Sequence, residues 1–256
     1  MKIYVIMKRT FDTEEKIIIQ NGEIQDDSVE FIINPYDEYA IEEAIKLREA
    51  HGGEVTVLTV GVQESEKQLR TALAIGADKA VLVDIEELDE VDANSISIIL
   101  ATYLSKQEPD IILSGNVAVD GGSGQVGPQV AERLGIPQVT TITKLDIKEG
   151  VATVVRDVEG DQEIIKVSLP LLVTAQQGLN EPRYPSLPGI MKAKKKPLDV
   201  LEIEDLDLDV NEISAKTKTI DIFLPREKQA GKLLSGTVKE QAANLLSLLK
   251  SEAKVI

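Results

Sequence analysis

Apolar residues in this chain fall into short uninterrupted runs, separated by stretches where they recur every three or four positions. The runs at 3–7, 55–60, 79–83 and 111–114 have the pattern of strands buried on both faces. Between them, 65–75 and 93–104 repeat with helical period, the first closed by Gly76. Asn34-Pro35-Tyr36-Asp37 opens a further helix. Asn suits the N-cap, Pro the first helical position, and Asp37 complements the dipole. Ile41, Ala44, Ile45 and Arg48 follow at helical spacing until Gly52-Gly53. Residues 16–24, with Asn21-Gly22, read as a small hairpin. Strands alternating with helices of this length predict right-handed βαβ units and a mainly parallel twisted sheet with helices on both faces. In such sheets ligands lie beyond the carboxyl ends of the strands, where strand order reverses.

After Pro137 the pattern changes. Residues 139–145, 151–155 and 163–169 read as an antiparallel meander added to the parallel sheet, and 171–174 as one more short strand. Residues 178–197 hold four of the ten prolines, which rules out a regular helix or a central strand there. That stretch combines Leu187, Ile190 and Met191 with Lys192, Lys194, Lys195 and Lys196, so it reads as a stiff docking loop with an apolar anchor and a charged rim. Residues 198–210 alternate acids in part with Leu and Ile and read as an extended arm rather than a core segment, one that wraps a partner chain or packs back on its own domain. Thr237 and Glu240 then form a capping box for a last helix. The expected organisation is a nucleotide-binding α/β domain over 1–177, a recognition loop over 178–197 and a C-terminal arm with its helix over 198–256.

The chemistry concentrates between Ile111 and Gly127. A buried strand runs into a glycine-dense loop and then a helix over about 125–134, closed by Gly135 and Pro137. Unpaired main-chain N–H groups and the positive end of a helix dipole meet there, a setting that stabilises a phosphate. Gly122, Gly124 and Gly127 fit G-x-G-x-x-G, with Asp146 about twenty residues on. Gly115 to Asp120 separate these glycines from the strand, however, and the segment comes late for a dinucleotide fingerprint. No G-x-x-x-x-G-K-[ST] occurs.

Composition removes several function classes. There is no cysteine, and His51 is the one histidine, placed as a solvated helix end. Thiolate or His-based metal centres and a Ser-His-Asp triad are therefore not expected. A net charge of −16 disfavours nucleic acid and anionic membrane surfaces. The apolar run at 3–7 is too short for a signal peptide or membrane span, so a cytoplasmic protein without membrane insertion is expected.

Five segments carry a family resemblance: NPYDEYAIEEA (34–44), RTALAIGAD (70–78), AVDGGSGQVGP (118–128), VVRDVEGDQEIIKVSLPLLVT (154–174) and LNEPRYPSLPGIMKAKKKP (179–197). Over essentially its whole length the chain resembles the β subunits of electron transfer flavoproteins. The resemblance implies an adenine nucleotide α-hydrolase-like α/β fold, carrying the meander and an extended C-terminal arm. It also implies a heterodimer with an α subunit that carries the redox-active FAD, making the chain an electron-carrier subunit and not an enzyme by itself. AMP is implied in this subunit, on the positions matching the family's nucleotide contacts: Ile6, Asn34, Pro35, Tyr36, Asp37, Val60, Gly115, Asn116, Val117, Ala118, Val119, Asp120, Gly121, Gly122, Ser123, Gly124, Gln125 and Val126. Arg183, Tyr184, Leu187, Ile190, Met191 and Lys192 match the partner-recognition loop, with Leu187 as the anchor. Tyr36 matches an aromatic near the flavin, and Glu163 matches a residue that meets an arginine of the flavin domain. The implied partners are acyl-CoA dehydrogenases as donors and a membrane quinone reductase as acceptor. Bifurcating relatives, which hold a second FAD in place of AMP, tend to differ at Asn116, Val117, Gly122, Ser123 and Gly124, which favours AMP here. The alternatives are a bifurcating-type subunit and a stand-alone nucleotide-binding module.

Overall fold

In the computed structural model, residues 1–256 are described except 21, 26–28, 89, 210 and 226–229. Asn21 of the expected Asn-Gly turn and Val210 of the expected arm thus lie outside the described residues. The chain opens with β1 (Lys2–Ile6). Then β2 (Arg9–Phe11), β3 (Ile19–Gln20), β4 (Glu23–Ile24) and β5 (Phe31–Ile33) form two ribbons, β2 with β5 and β3 with β4. Next come α1 (Pro35–His51), β6 (Glu54–Gly61), α2 (Glu66–Ile75), β7 (Lys79–Asp84), α3 (Ala93–Ser105), β8 (Ile111–Gly115) and α4 (Val126–Leu134). The meander β9 (Gln138–Lys148), β10 (Val151–Val158) and β11 (Asp161–Ser168) leads to β12 (Leu171–Ala175), α5 (Leu187–Ala193), β13 (Leu198–Leu201) and α6 (Val238–Leu248).

Nine strands form one sheet in the order β11-β10-β9-β12-β8-β1-β6-β7-β13. It is parallel from β9 to β13 and antiparallel across β9, β10 and β11. The chain moves outward from β1 through β6 to β7, then crosses back to place β8 on the other side of β1. Strand order therefore reverses between β1 and β8. Side chains alternate across the sheet because successive Cβ atoms point to opposite faces. Ile3, Val5 and Met7 pack under α1 and α2, whereas Tyr4 and Ile6 pack under α3 and α4. Gly135 closes α4 in the left-handed conformation, as its place after the last helical residue leads one to expect.

Two sequence expectations are corrected. Residues 187–193 are helical despite the prolines, because Pro188 sits in the first turn, where no N–H is required, and Ser186 caps the helix by accepting from Gly189 N–H. The segment after Pro197 is not a free arm either. β13 pairs in parallel with β7 at the sheet edge, and Ile203, Leu206 and Ile213 are buried in the core beneath α3. By compactness the chain falls into two units, Met1–Ile220 and Asp221–Ile256. Within the second unit Thr237 and Glu240 form the expected reciprocal cap at the start of α6.

Candidate functional site: a cavity at the strand-order switch

A cavity of about 490 Å³ opens beyond the carboxyl ends of β1, β6 and β8, where strand order reverses. This volume falls within the range of small-molecule sites, roughly 300–1,000 Å³. Ile6, Asn34, Asp37, Val60, Gly115, Asn116, Val117, Ala118, Gly121, Gly122, Ser123, Gly124, Gln125 and Val126 all line it. Pro35 and Tyr36 lie on α1 outside that lining. Val119 and Asp120 line a neighbouring cavity of about 540 Å³ that shares Lys8 and Gly121 with the first.

The loop is fixed from below by the first turn of α1. Asn34 precedes that helix but makes no side-chain cap. Its Nδ2 donates to Val117 O at 3.0 Å and its Oδ1 accepts from Val119 N–H at 3.2 Å, so the residue that looks like a cap holds the glycine loop instead. Asp37 accepts from Lys8 N–H at 2.7 Å and from Gly115 N–H at 2.8 Å, bracing the ends of β1 and β8 against each other. Lys8 also pairs through Nζ with Asp120 at 2.7 Å.

Asp37 is 4 % exposed. Burial pushes its pKa up to about 7, against the opposing pull of the Lys8 and Gly115 donors and the Asn34 amide. The folded chain therefore keeps a proton on Asp37 that the unfolded chain releases from about 3.8 upward. Its contribution to stability falls as pH rises through that window, because the folded state binds more protons there. Asp37→Asn is expected to flatten the stability profile between about pH 4 and pH 7, read by denaturant unfolding at a series of pH values.

The rim and the floor differ in chemistry. Ile6, Val60, Ile85, Ile96, Leu100 and Val126 supply apolar walls suited to a planar base. On the other side, α4 begins without any side-chain cap. Among the described residues, the main-chain N–H groups of Ser123, Gly124, Gln125 and Val126 meet no protein acceptor. Those donors, at the positive end of α4, fit an anionic group. Gly124 has φ +60°, and a Cβ there would lie 3.2 Å from Asn116 O. Gly127 lets α4 approach the sheet, since a Cβ would be 3.0 Å from both Ser114 Oγ and Thr174 Cγ2. Ser114 Oγ, at the end of β8, is buried without a partner among the described residues. The pattern of apolar walls, main-chain donors and close-approach glycines fits a small ligand with a planar apolar part and an anionic group.

Sequence reasoning passed over much of the opposite wall. Val91, Asp92, Ala93, Ile96 and Leu100, at and just before the start of α3, line the cavity, as do Met7, Lys8 and Arg9. The one available signal was Asp92-Ala-Asn-Ser95, a cap at the sheet's carboxyl end. Asp92 accepts from Ser95 N–H at 3.0 Å and also from Lys216 and Thr217 N–H at 2.8 and 2.9 Å. Partial burial opposes ionisation of Asp92, yet these donors hold it below the usual carboxylate range.

The second candidate surface is the proline-rich segment. Tyr184, Leu187 and Met191 are 93 %, 80 % and 74 % exposed, and Ile190 is also exposed. Their mount is stiff. Arg183 donates to Glu42 at 2.8 and 2.9 Å and to Glu49 at 2.8 Å, so it is engaged within the chain. Lys196 turns inward to Leu73 O and Ala77 O, and Arg70 holds Ala193 O and Lys196 O at 3.0 Å. The free rim therefore consists of Lys192, Lys194 and Lys195, all exposed. In the meander, Glu163 faces Arg156 across the β10–β11 ladder at 3.8 Å. No helix among the described residues is long and apolar enough to cross a membrane, and no cluster of potential metal ligands occurs among them.

The family described as "Electron transfer flavoprotein domain" matches residues 22–206. The chain is 66 % identical, over the full length of both proteins, to the electron transfer flavoprotein subunit beta of Bacillus subtilis. It is 37 % identical, again over both full lengths, to the mitochondrial subunit beta of Oryza sativa subsp. indica. Identity to the caffeyl-CoA reductase-Etf complex subunit CarD of Acetobacterium woodii is 36 %, over 98 % of this chain and 99 % of that protein.

Proposed function

The chain belongs to the electron transfer flavoprotein family, among its β subunits, and on that premise we propose that it binds AMP as a passive brace within a heterodimer. One observation carries this reading. The cavity is rimmed by main-chain donors, and both of its carboxylates, Asp37 and Asp92, are occupied by backbone N–H groups. Such a site is suited to holding and orienting a ligand, with its carboxylates already engaged by the main chain. In this reading the α subunit carries FAD, which supplies the redox chemistry. This chain positions the flavin domain and presents residues 178–197 to the electron donor. Acyl-CoA dehydrogenases are the proposed donors, with Leu187 inserted into an apolar pocket, and a membrane quinone reductase is the proposed acceptor.

A second reading, FAD in the same cavity, draws on the adjacent 540 Å³ cavity that shares Lys8 and Gly121. One experiment separates the two. The chain is co-expressed with its α subunit, the heterodimer is denatured, and the released nucleotides are identified. One AMP and one FAD per heterodimer are expected. Two FAD would establish the second reading, whereas NAD or no nucleotide from this chain would overturn both.

A further inference from the structure

A strained residue beneath the glycine loop points to a group that neither the family match nor the cavity lining singles out. Thr141 has φ +56°, a conformation unusual for a β-branched side chain. It lies at a β-bulge. Between β12 and β9, Val173 opposes Val139 and Ala175 opposes Ile142, so Thr140 and Thr141 together face Thr174. A bulge leaves one residue outside the ladder, and here the Thr141 N–H is taken up by the Thr174 hydroxyl, 3.0 Å away. Having accepted from Thr141, that hydroxyl turns its own proton to Asn116 Oδ1 at 3.3 Å. Thr174 is 1 % exposed, so the relay is shielded from water.

The effect falls on Asn116. Its main-chain N–H is held by Ala175 O at 2.9 Å, and its side-chain oxygen is held by Thr174. The amide Nδ2 has no acceptor among the described residues, and Asn116 lines the cavity. A carboxamide whose oxygen is tied down from below keeps its two N–H donors for whatever occupies the cavity. We infer that Thr174 is a positioning residue for the nucleotide site: the β9 bulge and the Thr174 hydroxyl lock the Asn116 amide with its donors toward the bound nucleotide. This rests on the cavity being a nucleotide site, as proposed above.

The test uses the intact heterodimer, with AMP affinity measured by rebinding after the native nucleotide is removed. Thr174→Val keeps the shape and removes the hydroxyl. It is expected to weaken AMP by about tenfold, the scale of one to two hydrogen bonds. Thr174→Ser restores the hydroxyl and should return affinity to within about twofold of wild type. Asn116→Ala should weaken AMP to a similar extent. The double variant should be no weaker than Asn116→Ala alone, because the hydroxyl acts only through that amide. Wild-type affinity in Thr174→Val, or losses that simply add in the double variant, would overturn the assignment. If Thr174→Val does not fold, wild-type affinity in Asn116→Ala overturns it equally, and a tenfold loss there that Thr174→Ser does not share supports it. A wild-type heterodimer that neither carries nor rebinds AMP would instead refute the nucleotide reading itself.

Discussion

Gly115→Ala is expected to empty the cavity and to destabilise the fold by about 2–4 kcal/mol. Gly115 ends β8 at the strand-order switch, and its φ is ordinary, so backbone freedom is not the reason for glycine. Space is. A Cβ would fall 2.7 Å from Tyr36 Cβ and 2.8 Å from the Tyr36 carbonyl carbon, and closer still to Asp37 Oδ1. Two of these neighbours are main chain or stem atoms of a helix start that has no freedom to retreat. Relief requires β8 and the first turn of α1 to separate. That separation breaks the Gly115 N–H bond to Asp37 and leaves a buried carboxyl group short of a donor. Overpacking costs about 1–3 kcal/mol and an unsatisfied buried group a similar amount. The glycine loop hangs from this junction through Asn34, Val117 and Val119, so the nucleotide should be lost with it. Gly121→Ala is the control for stability, since a Cβ there meets nothing within 4 Å. Unfolding in denaturant and the nucleotide content of the purified heterodimer check both. Full nucleotide content in Gly115→Ala would contradict the assigned role of the junction.

Leu187→Ala is expected to leave melting temperature and nucleotide content unchanged while slowing flavin reduction by an acyl-CoA dehydrogenase about thirtyfold at limiting partner. Leu187 is 80 % exposed, so the fold gains little from its side chain. Burying a leucine in a partner's pocket is worth about 1.5–3 kcal/mol, and a central anchor of an interface about 2 or more. At 1.4 kcal/mol per factor of ten, 2 kcal/mol is roughly thirtyfold. The mount is held rigid from within the chain. Ser186 caps the helix that begins at Leu187, a Cβ on Gly189 would run into Ala74 O, and Arg183 ties the preceding residues to α1. An anchor held in place before contact loses little conformational freedom on binding. Reduction at the wild-type rate would remove Leu187 from the docking surface.

Both expectations combine residues of different legibility. The alternation of buried strands and amphipathic helices was readable because each pattern is local, recurring within ten or fifteen residues. Gly135 at the end of α4 and the Thr237–Glu240 cap were readable for the same reason. So was the glycine loop, whose donors and close approaches follow from residue type at short range. The ambiguous stretches were those where local chemistry and distant packing disagree. Prolines argued against a helix at 187–193, but one of them falls in a first turn. Alternating acids argued for a free arm after Pro197, but β7 offered an open edge and the core beneath α3 took in Ile203 and Leu206.

By itself the sequence determined a mainly parallel α/β sheet, the location of a glycine loop at its switch point, and a proline-rich segment with exposed apolar side chains. Only the tertiary structure decided that Asn34 serves the loop and not its own helix, that Asp37 joins β1 to β8, and that Arg183 is held by Glu42 and Glu49. The wall from the start of α3 and the bulge that aims Asn116 belong with these. Each depends on groups 29 to 141 residues apart in the chain, and a hydrogen bond across such a separation leaves no periodic trace in the order of residues.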